Sequence, residues 1–309
     1  MIYFICCHSC YHCIIGKKYF PLPYKDYWYT DFLNAIYKRC RTELAKEGEV
    51  RARDYLKTRG LDPEDYANEP IGVIPAGVKV SSWINNAEKF KDEENTRLEA
   101  QLKTLDQRNK KEIARLESVI LSNNEKIETL RTQLQALENA RGWLAFFYIG
   151  ENGDFVSINV RNPDGEGYKQ IKVDRKGIFS PTAACRIPGG FPGDVLVVEG
   201  EFNLLTLRKA YRAVPESLEL SSVALGSASS WDAETARKYF DGDEFCVNYD
   251  NDEPGREAAL GLAESGTLYA FTVPENKDAD GYIKVHGLLA YCQEWFKAEK
   301  MYRSWNSCG

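Results

Sequence analysis

From residue 194 onward, short apolar strands alternate with amphipathic helices, and this alternation restricts the possible folds more than any other feature of the sequence. The predicted strands are Val195–Val198, Ser222–Gly226, Phe245–Tyr249 and Thr267–Val273, and the helices between them are 202–212, 232–240 and 254–265. Apolar strands joined by helices typically form a parallel sheet with right-handed crossovers. In such sheets, ligands bind at the carboxyl ends of the strands.

Acidic residues follow the predicted strands. Glu199 follows the first strand, Asp250 and Asp252 follow the third, and Asp278 lies beyond the fourth. Side chains two residues apart on an extended segment leave on the same face. Carboxylate oxygens are ligands for Mg²⁺ or Mn²⁺, which would bind a phosphate and stabilise charge at phosphorus. An Asp-x-Asp before a helix is also a common N-cap, but Glu199 at the matching place in the topology favours the metal site.

The rest of the chain divides into zones of different character. Residues 24–60 have helical periodicity, and Phe146–Ile149 and Phe155–Val160 are predicted to form a strand pair. The aromatic residues near 24–29, including Trp28 and Tyr29, are interpreted as core packing rather than base stacking. The predicted units are a Cys/His cluster at 1–20, a helical region at 21–89, a coiled-coil insertion at 90–141, a strand-rich unit at 142–192, the α/β domain at 193–290 and a helix or tail at 291–309.

The segment 90–141 contains neither Gly nor Pro, and its apolar residues recur at heptad spacing. The seam, which includes one polar residue, is Leu116, Ile120, Asn123, Ile127, Leu130, Leu134 and Leu137. The pattern slips between Asn109 and Ile113, which is typical of a stutter or of a turn between two helices. Two interpretations remain open here: a long helix that dimerises or docks a partner, and a hairpin that packs on itself.

The cysteine usage and the overall charge exclude several classes of protein. Five of the nine cysteines are scattered singly, which does not fit a secreted disulfide framework, and no apolar run is long enough to span a membrane. We therefore expect a cytoplasmic protein with reduced thiols. The formal net charge of −6 excludes a globally basic nucleic-acid coat protein, but it permits a local nucleic-acid site. Cys7, Cys10 and Cys13, with a neighbouring His, are candidate Zn²⁺ ligands.

Four segments of the α/β region resemble the successive motifs of the Toprim domain, which bacterial-type (DnaG-like) primases share with topoisomerases and some nucleases. These segments are Val197–Asn203, Ala224–Ala228, Asn248–Gly255 and Lys277–Ile283. Upstream, Tyr55–Leu61 resembles the Tyr-Leu-x-x-Arg-Gly segment that precedes the primase core. Lys176–Phe179 resembles the Lys-Gly-x-Phe/Tyr stretch before the Toprim domain of primases. The resemblance covers about residues 52–85 and 143–290 and indicates a DnaG-like primase, with a phage or mobile element as the expected source.

The resemblance implies an α/β fold, α+β overall, in which a parallel Toprim sheet flanked by helices follows a small mixed strand subdomain. The implied activity is the synthesis of short RNA primers on single-stranded DNA from nucleoside triphosphates during DNA replication. By motif position, the implied metal-binding catalytic residues are Glu199, Asp250 and Asp252, with Mg²⁺ or Mn²⁺. The implied nucleotide or template contacts are Arg161, Lys176, Gly200, Gly255, Lys277 and Asp278.

The sequence departs from the family at its N-terminus. DnaG-like primases carry two well-separated pairs of zinc ligands, whereas the cysteines here form one crowded run, so a zinc site and a degenerate ribbon both remain open. Two alternative functions are also kept. One is a Toprim-type nuclease that uses the same metal ligands, and the other is a catalytically silent scaffold whose coiled coil recruits a helicase.

Overall fold

A computed structural model describes residues 27–46, 49–150, 153–164, 170–174, 177–179, 195–213, 222–226, 244–264, 268–274 and 278–301. Its helices are α1 (Tyr27–Leu44), α2 (Val50–Thr58), α3 (Pro63–Tyr66), α4 (Val80–Thr104), α5 (Lys110–Ala136), α6 (Glu201–Arg212), α7 (Glu253–Ala263) and α8 (Ala279–Phe296). Its strands are β1 (Ile71–Val73), β2 (Leu144–Ile149), β3 (Phe155–Arg161), β4 (Gln170–Val173), β5 (Val195–Val198), β6 (Ser222–Ala224), β7 (Phe245–Asn248), β8 (Leu268–Ala270) and β9 (Glu299–Met301). Within these residues, no helix is both long enough and apolar enough to cross a bilayer.

The strands form two sheets. The first is antiparallel, in the order β1-β2-β3-β4, and the second has the order β6-β5-β7-β8-β9. In the second sheet, β5 to β8 pair in parallel and β9 joins the edge antiparallel, so the predicted parallel α/β sheet is confirmed. The sequence analysis did not predict β1 or β9, because each has only three residues and no alternation of apolar and polar side chains. The helix predicted at 232–240 lies outside the described residues.

The segment 177–179 connects the two sheets. Ile178 exchanges backbone hydrogen bonds with Ile149 at the end of β2, both of 2.9 Å, and Phe179 exchanges bonds of 2.8 and 3.0 Å with Ala224 in β6. Gly177 has a φ of +92°, and a Cβ there would lie 2.7 Å from the Ile149 carbonyl oxygen, so this position requires glycine. The connection brings the carboxyl end of β6 beside β2.

The predicted coiled coil is a helical hairpin. Helices α4 and α5 run antiparallel and pack on each other, with α4 also against α1. The polar seam residue Asn123 is buried. It accepts a hydrogen bond from Trp28 Nε1 at 2.9 Å and donates one to Asn95 Oδ1 at 2.8 Å. Of the two open interpretations, the structure therefore supports the hairpin. Its first helix, α4, begins at Val80, ten residues before the predicted start of the coiled-coil segment at residue 90. Trp28 and Tyr29 lie in the core, as predicted.

Replacing Asn123 by Ala should destabilise the fold by about 2 kcal/mol, because the buried Trp28 indole and the Asn95 amide oxygen would both lose a partner. Urea denaturation measures the free energy of unfolding. Ser122→Ala, at an exposed position on the same helix, is the matched control and should change it by less than about 0.5 kcal/mol. If the two variants are equally stable, the asparagine contacts do not hold the hairpin.

Candidate functional site

The carboxyl ends of the parallel strands meet at one edge of the second sheet. Val198 pairs with both Ala224 and Asn248, so Glu199, Leu225 and Tyr249 follow their strands at the same level. The Gly226 amide donates a 2.8 Å hydrogen bond to the carbonyl oxygen of Glu199, which fixes the two strand ends against each other. The residues that the sequence analysis placed after successive strands therefore share one edge.

Three aspartates converge at this edge. Asp250 follows β7, and its partial burial, then the nearby carboxylates of Asp278 and Asp252, raise the pKa of its carboxyl group. Asp252 and Asp278 are also N-caps: Asp252 Oδ1 accepts from Gly255 N at 2.8 Å, and Asp278 Oδ1 accepts from Gly281 N at 2.7 Å. Asp252 is thus an N-cap, which was the alternative interpretation of the Asp-x-Asp motif. Each cap uses one carboxylate oxygen, so the other oxygen can still bind a metal ion.

Tyr249 directly precedes Asp250 in the chain, and its phenol interacts electrostatically with the Glu199 carboxylate. Its side chain is 4% exposed, and its hydroxyl oxygen has no hydrogen-bond partner among the described residues. Burial and then the Glu199 carboxylate raise the pKa of the phenol well above its usual value, so Tyr249 stays a potential hydrogen-bond donor. A buried hydroxyl without a partner normally costs stability, so a polar ligand such as a metal-bound water suits this position.

The donor chemistry of this edge fits a divalent metal ion. Mutual repulsion of Asp250, Asp252 and Asp278 would be relieved by a cation, and carboxylate oxygens are the ligands that Mg²⁺ and Mn²⁺ prefer. In the described part of the chain, no three His, Cys, Asp or Glu side chains already surround a single point. The site therefore matches a divalent metal ion in its negative charge and in the type of its ligand atoms.

The two predicted phosphate-approach glycines differ in their surroundings. A Cβ on Gly255 would overlap the Asp250 carbonyl oxygen and lie 3.0 Å from Asp252 Oδ1, so this glycine lets α7 begin tightly against the acidic loop. Around Gly200, the nearest atom of the described residues to such a Cβ is Asn203 Nδ2 at 4.0 Å, so the described part of the chain leaves space there. Gly255 is thus required by the loop itself, whereas no described atom comes closer than 4.0 Å to a Cβ on Gly200.

Arg161, a predicted nucleotide or template contact, has a partner that the sequence analysis missed. Its Nη2 lies 2.7 Å from Oε2 of Glu201, a fully buried carboxylate at the first residue of α6. The spacing of Glu201 from Leu204 and Leu205 places it on the core face of α6, and that signal was available in the sequence. The other predicted contacts, Lys176 and Lys277, lie outside the described residues, as do Cys7, Cys10 and Cys13.

Asp280, two residues beyond Asp278, belongs to an ion-pair network with Arg59 and Lys284. It is buried, accepts a hydrogen bond from Thr206 Oγ1 and lies 2.7 Å from Lys284 Nζ. Arg59, from the Tyr55–Leu61 motif, places Nη1 3.6 Å from Asp280 Oδ2 and stacks over the Phe202 ring at 4.6 Å. This network connects the N-terminal helical region to the sheet that carries the site.

Comparison with known proteins relates this arrangement to primases. No protein-family model matches the sequence. The DNA primase of Pasteurella multocida (strain Pm70) is 25% identical over 299 residues, which cover 90% of this chain and 46% of the relative. This chain thus spans about half the length of that curated relative.

Solved structures give the same result for the fold. A DnaG primase catalytic domain bound to single-stranded DNA superposes with a TM-score of 0.57 at 15% identity, covering 89% of this chain and 80% of that one. The Escherichia coli primase catalytic core gives 0.56 at 15% identity, covering 88% and 80%. The zinc-binding and RNA polymerase domains of Aquifex aeolicus primase give 0.55 at 20% identity, covering 89% and 62%. The chain is similar in sequence to a DNA primase, and it has the fold of the DnaG primase catalytic core.

Proposed function

We propose that this chain is the catalytic core of a DNA primase, which synthesises short RNA primers on single-stranded DNA. The observation that carries the proposal is the convergence of Asp250, Asp252 and Asp278 at the carboxyl edge of the parallel sheet, in a fold similar to DnaG catalytic cores. The reaction joins the 3′-hydroxyl of the growing primer to the α-phosphorus of a nucleoside triphosphate and releases pyrophosphate.

In this proposal, Glu199, Asp250 and Asp252 hold Mg²⁺ or Mn²⁺. An ion held by these carboxylates would lower the pKa of the primer 3′-hydroxyl and stabilise the charge that develops at phosphorus. Asp278 adds negative charge from the opposite loop, and Gly200 leaves space for a phosphate. Arg161, Lys176 and Lys277 are the proposed phosphate contacts.

Several finer assignments also remain proposals. We keep the division into units at residues 20, 89, 141, 192 and 290, the Toprim identity of 193–290, the cytoplasmic location, and the origin in a phage or mobile element. A Zn²⁺ site at Cys7, Cys10 and Cys13 and recruitment of a helicase are kept as well. A homodimer would need a surface other than the hairpin seam, because Leu116, Ile127, Leu130 and Leu134 are buried.

The proposal is tested by incubating the chain with single-stranded DNA, labelled ribonucleotides and Mg²⁺ or Mn²⁺, and resolving product and template on one gel. Short labelled RNA with an intact template supports the primase. Metal-dependent loss of the template without RNA would instead support the nuclease, and an intact template that is bound but not copied would support the scaffold.

The raised pKa of Asp250 leads to a prediction about stability. A carboxyl group whose pKa is raised by folding stabilises the fold only while it is protonated, so at neutral pH the ionised Asp250 is destabilising. We expect Asp250→Asn to raise the melting temperature of the metal-free protein at neutral pH. The gain should disappear as the pH falls below the usual carboxyl pKa.

Mg²⁺ should reverse this order of stability. A ligand that binds only the folded state at one hundred times its Kd stabilises by about 2.7 kcal/mol, so Mg²⁺ should raise the melting temperature of the wild type but not of Asp250→Asn. Glu257→Gln, at an exposed position on α7, is the control and should respond to Mg²⁺ as the wild type does. An equal Mg²⁺ response in Asp250→Asn would remove Asp250 from the site.

A further inference from the structure

Glu201 is a fully buried carboxylate that the proposed mechanism does not use. Its Oε1 accepts hydrogen bonds from Tyr148 Oη, at 2.6 Å, and from Asn159 Nδ2, while its Oε2 lies 2.7 Å from Arg161 Nη2. We call these four residues the Glu201 cluster. A buried carboxylate is strongly unfavourable unless it is paired and hydrogen-bonded, so the cluster is built around this one charge.

The two oxygens of the Glu201 carboxylate have different partners, and one of them pairs with Arg161. Tyr148 and Asn159 engage only Oε1, which leaves Oε2 for the guanidinium. Burial, and then the Glu201 carboxylate, raise the pKa of the Tyr148 phenol well above its usual value, so Tyr148 remains a hydrogen-bond donor to Glu201. A Cβ on Gly226 would overlap the Tyr148 hydroxyl, so this glycine makes room for the contact.

Arg161 keeps part of its guanidinium available for a ligand. The side chain is 28% exposed, and within the described ranges its buried Nε has no hydrogen-bond partner. Among the described residues, Glu201 is its ion-pair partner, through a contact of Nη2 with Oε2 that lacks hydrogen-bond geometry. A guanidinium has five N–H groups that it can donate to a ligand. Its Cζ lies 6.0 Å from the centre of the Phe202 ring, and the guanidinium of Arg59 lies 4.6 Å from the same ring. Two guanidinium groups thus lie near the Phe202 ring, two residues after Gly200, and the nearest described atom to a Cβ on Gly200 is 4.0 Å away.

We propose that Glu201 is a positioning residue, which fixes the Arg161 guanidinium so that its remaining N–H groups bind a phosphate at the Gly200 side of the site. The rigid fork of a guanidinium matches two phosphate oxygens, so its orientation decides whether both bonds form. The inference rests on the proposed function, since a primase core must bind phosphates both of the template and of the nucleotide. Glu201 acts through Arg161 and does not itself touch the ligand.

A purely structural role for Glu201 predicts different results. Glu201 joins α6 to β2 and β3, so its loss would also weaken the contact between the two sheets. In that case the effects of Glu201 and Arg161 on ligand binding would be independent. A positioning role instead requires that replacing Glu201 weakens ligand binding only while Arg161 is present. A double-mutant cycle distinguishes the two cases.

The test measures binding of a labelled single-stranded DNA by fluorescence anisotropy, in EDTA and over a range of salt concentrations. The variants of the full chain are Glu201→Gln, Arg161→Met and the double variant. We expect Arg161→Met to weaken binding about tenfold and to lower the salt slope by about one. Glu201→Gln should also weaken binding, because a neutral carboxamide cannot form an ion pair with the guanidinium and holds it less firmly. The double variant should bind no more weakly than Arg161→Met alone.

Two results would overturn the proposal. One is a double variant whose loss equals the two single losses combined, and the other is a Glu201→Gln variant that binds as tightly as the wild type or more tightly. Should Glu201→Gln fail to fold in a thermal melt, Tyr148→Phe replaces it, since it removes one hydrogen bond to Glu201 without changing a charge. Its smaller loss of binding should vanish in the Arg161→Met background, and a loss that persists there would also overturn the proposal.

A second arm repeats the cycle with a labelled nucleoside triphosphate. Coupling only in the DNA arm assigns the phosphate to the template, and coupling only in the nucleotide arm assigns it to the incoming nucleotide. Because the assay needs neither metal nor turnover, a failure of this inference can be distinguished from a failure of the proposed function. A chain that shows the coupling but makes no RNA would overturn the primase proposal alone, whereas RNA synthesis without coupling would overturn the role of Glu201 alone.

Discussion

Replacing Asp250 and Asp252 by asparagine should abolish RNA synthesis, lowering its rate by about a thousandfold or more. Both side chains keep their size, and the amide oxygen that Asp252→Asn introduces can still accept the N-cap hydrogen bond from Gly255. The change therefore removes the two negative charges with little effect on the loop. Each substitution should also weaken Mn²⁺ binding, which can be measured by electron paramagnetic resonance without any turnover.

The matched control for this prediction is Glu253→Gln. Glu253 is the next residue along the chain and is exposed at the first turn of α7, so the control removes one charge from the same region without touching the predicted ligands. It should retain most of the activity and the Mn²⁺ affinity. If Glu253→Gln lowers both as strongly as Asp250→Asn, the site depends on overall negative charge, and the assigned ligands are wrong.

Replacing Gly255 by Ala should disrupt the acidic loop, although it adds a single methyl group. The new Cβ would overlap the Asp250 carbonyl oxygen, lie 3.0 Å from Asp252 Oδ1 and lie 3.2 Å from the Cβ of Tyr249. The first of these is a backbone atom, which cannot rotate away, so the loop must move. We expect a loss of about 1–3 kcal/mol in the free energy of unfolding, together with weaker Mn²⁺ binding and slower RNA synthesis.

Gly261→Ala is the control on the same helix. Its Cβ would have no neighbour within 4 Å in the described part of the chain, so the alanine should stabilise the protein by about 0.5–1 kcal/mol through its better helix propensity. In denaturant unfolding, Gly255→Ala should therefore lower the free energy of unfolding, and Gly261→Ala should raise it. A Gly255→Ala variant that is as stable and as active as Gly261→Ala would show that the loop tolerates a Cβ and that the tight start of α7 is unimportant.

The parallel sheet was predictable because its signal is local. Four apolar residues, as in Val195–Val198, bounded by helical segments and turns, identify a buried strand, and each strand then places its following acid at the carboxyl edge. The sequence could not decide between a self-packed hairpin and a long helix that pairs with another chain. A heptad seam has the same spacing whether its partner is a second copy or the same chain, and the turn between α4 and α5 contains neither Gly nor Pro.

The Glu201 cluster shows a second limit of sequence analysis. Glu201 stands in a Glu-Gly-Glu segment, where the first glutamate was assigned to the metal and the second was left without a role. Its helical spacing predicts burial, but its partners come from β2 and β3, forty or more residues away in the chain. Their proximity depends on how the two sheets are connected, which no local pattern encodes.

Primer extension tests the central claim most directly. An RNA primer annealed to a single-stranded DNA template removes the need for a start signal, and each of the four ribonucleotides is then offered separately with Mg²⁺ or Mn²⁺. The account predicts addition of the nucleotide complementary to the next template base, by the wild type and not by Asp250→Asn. Addition that ignores the template base, or extension that survives Asp250→Asn, would contradict template-directed nucleotidyl transfer at this carboxylate edge.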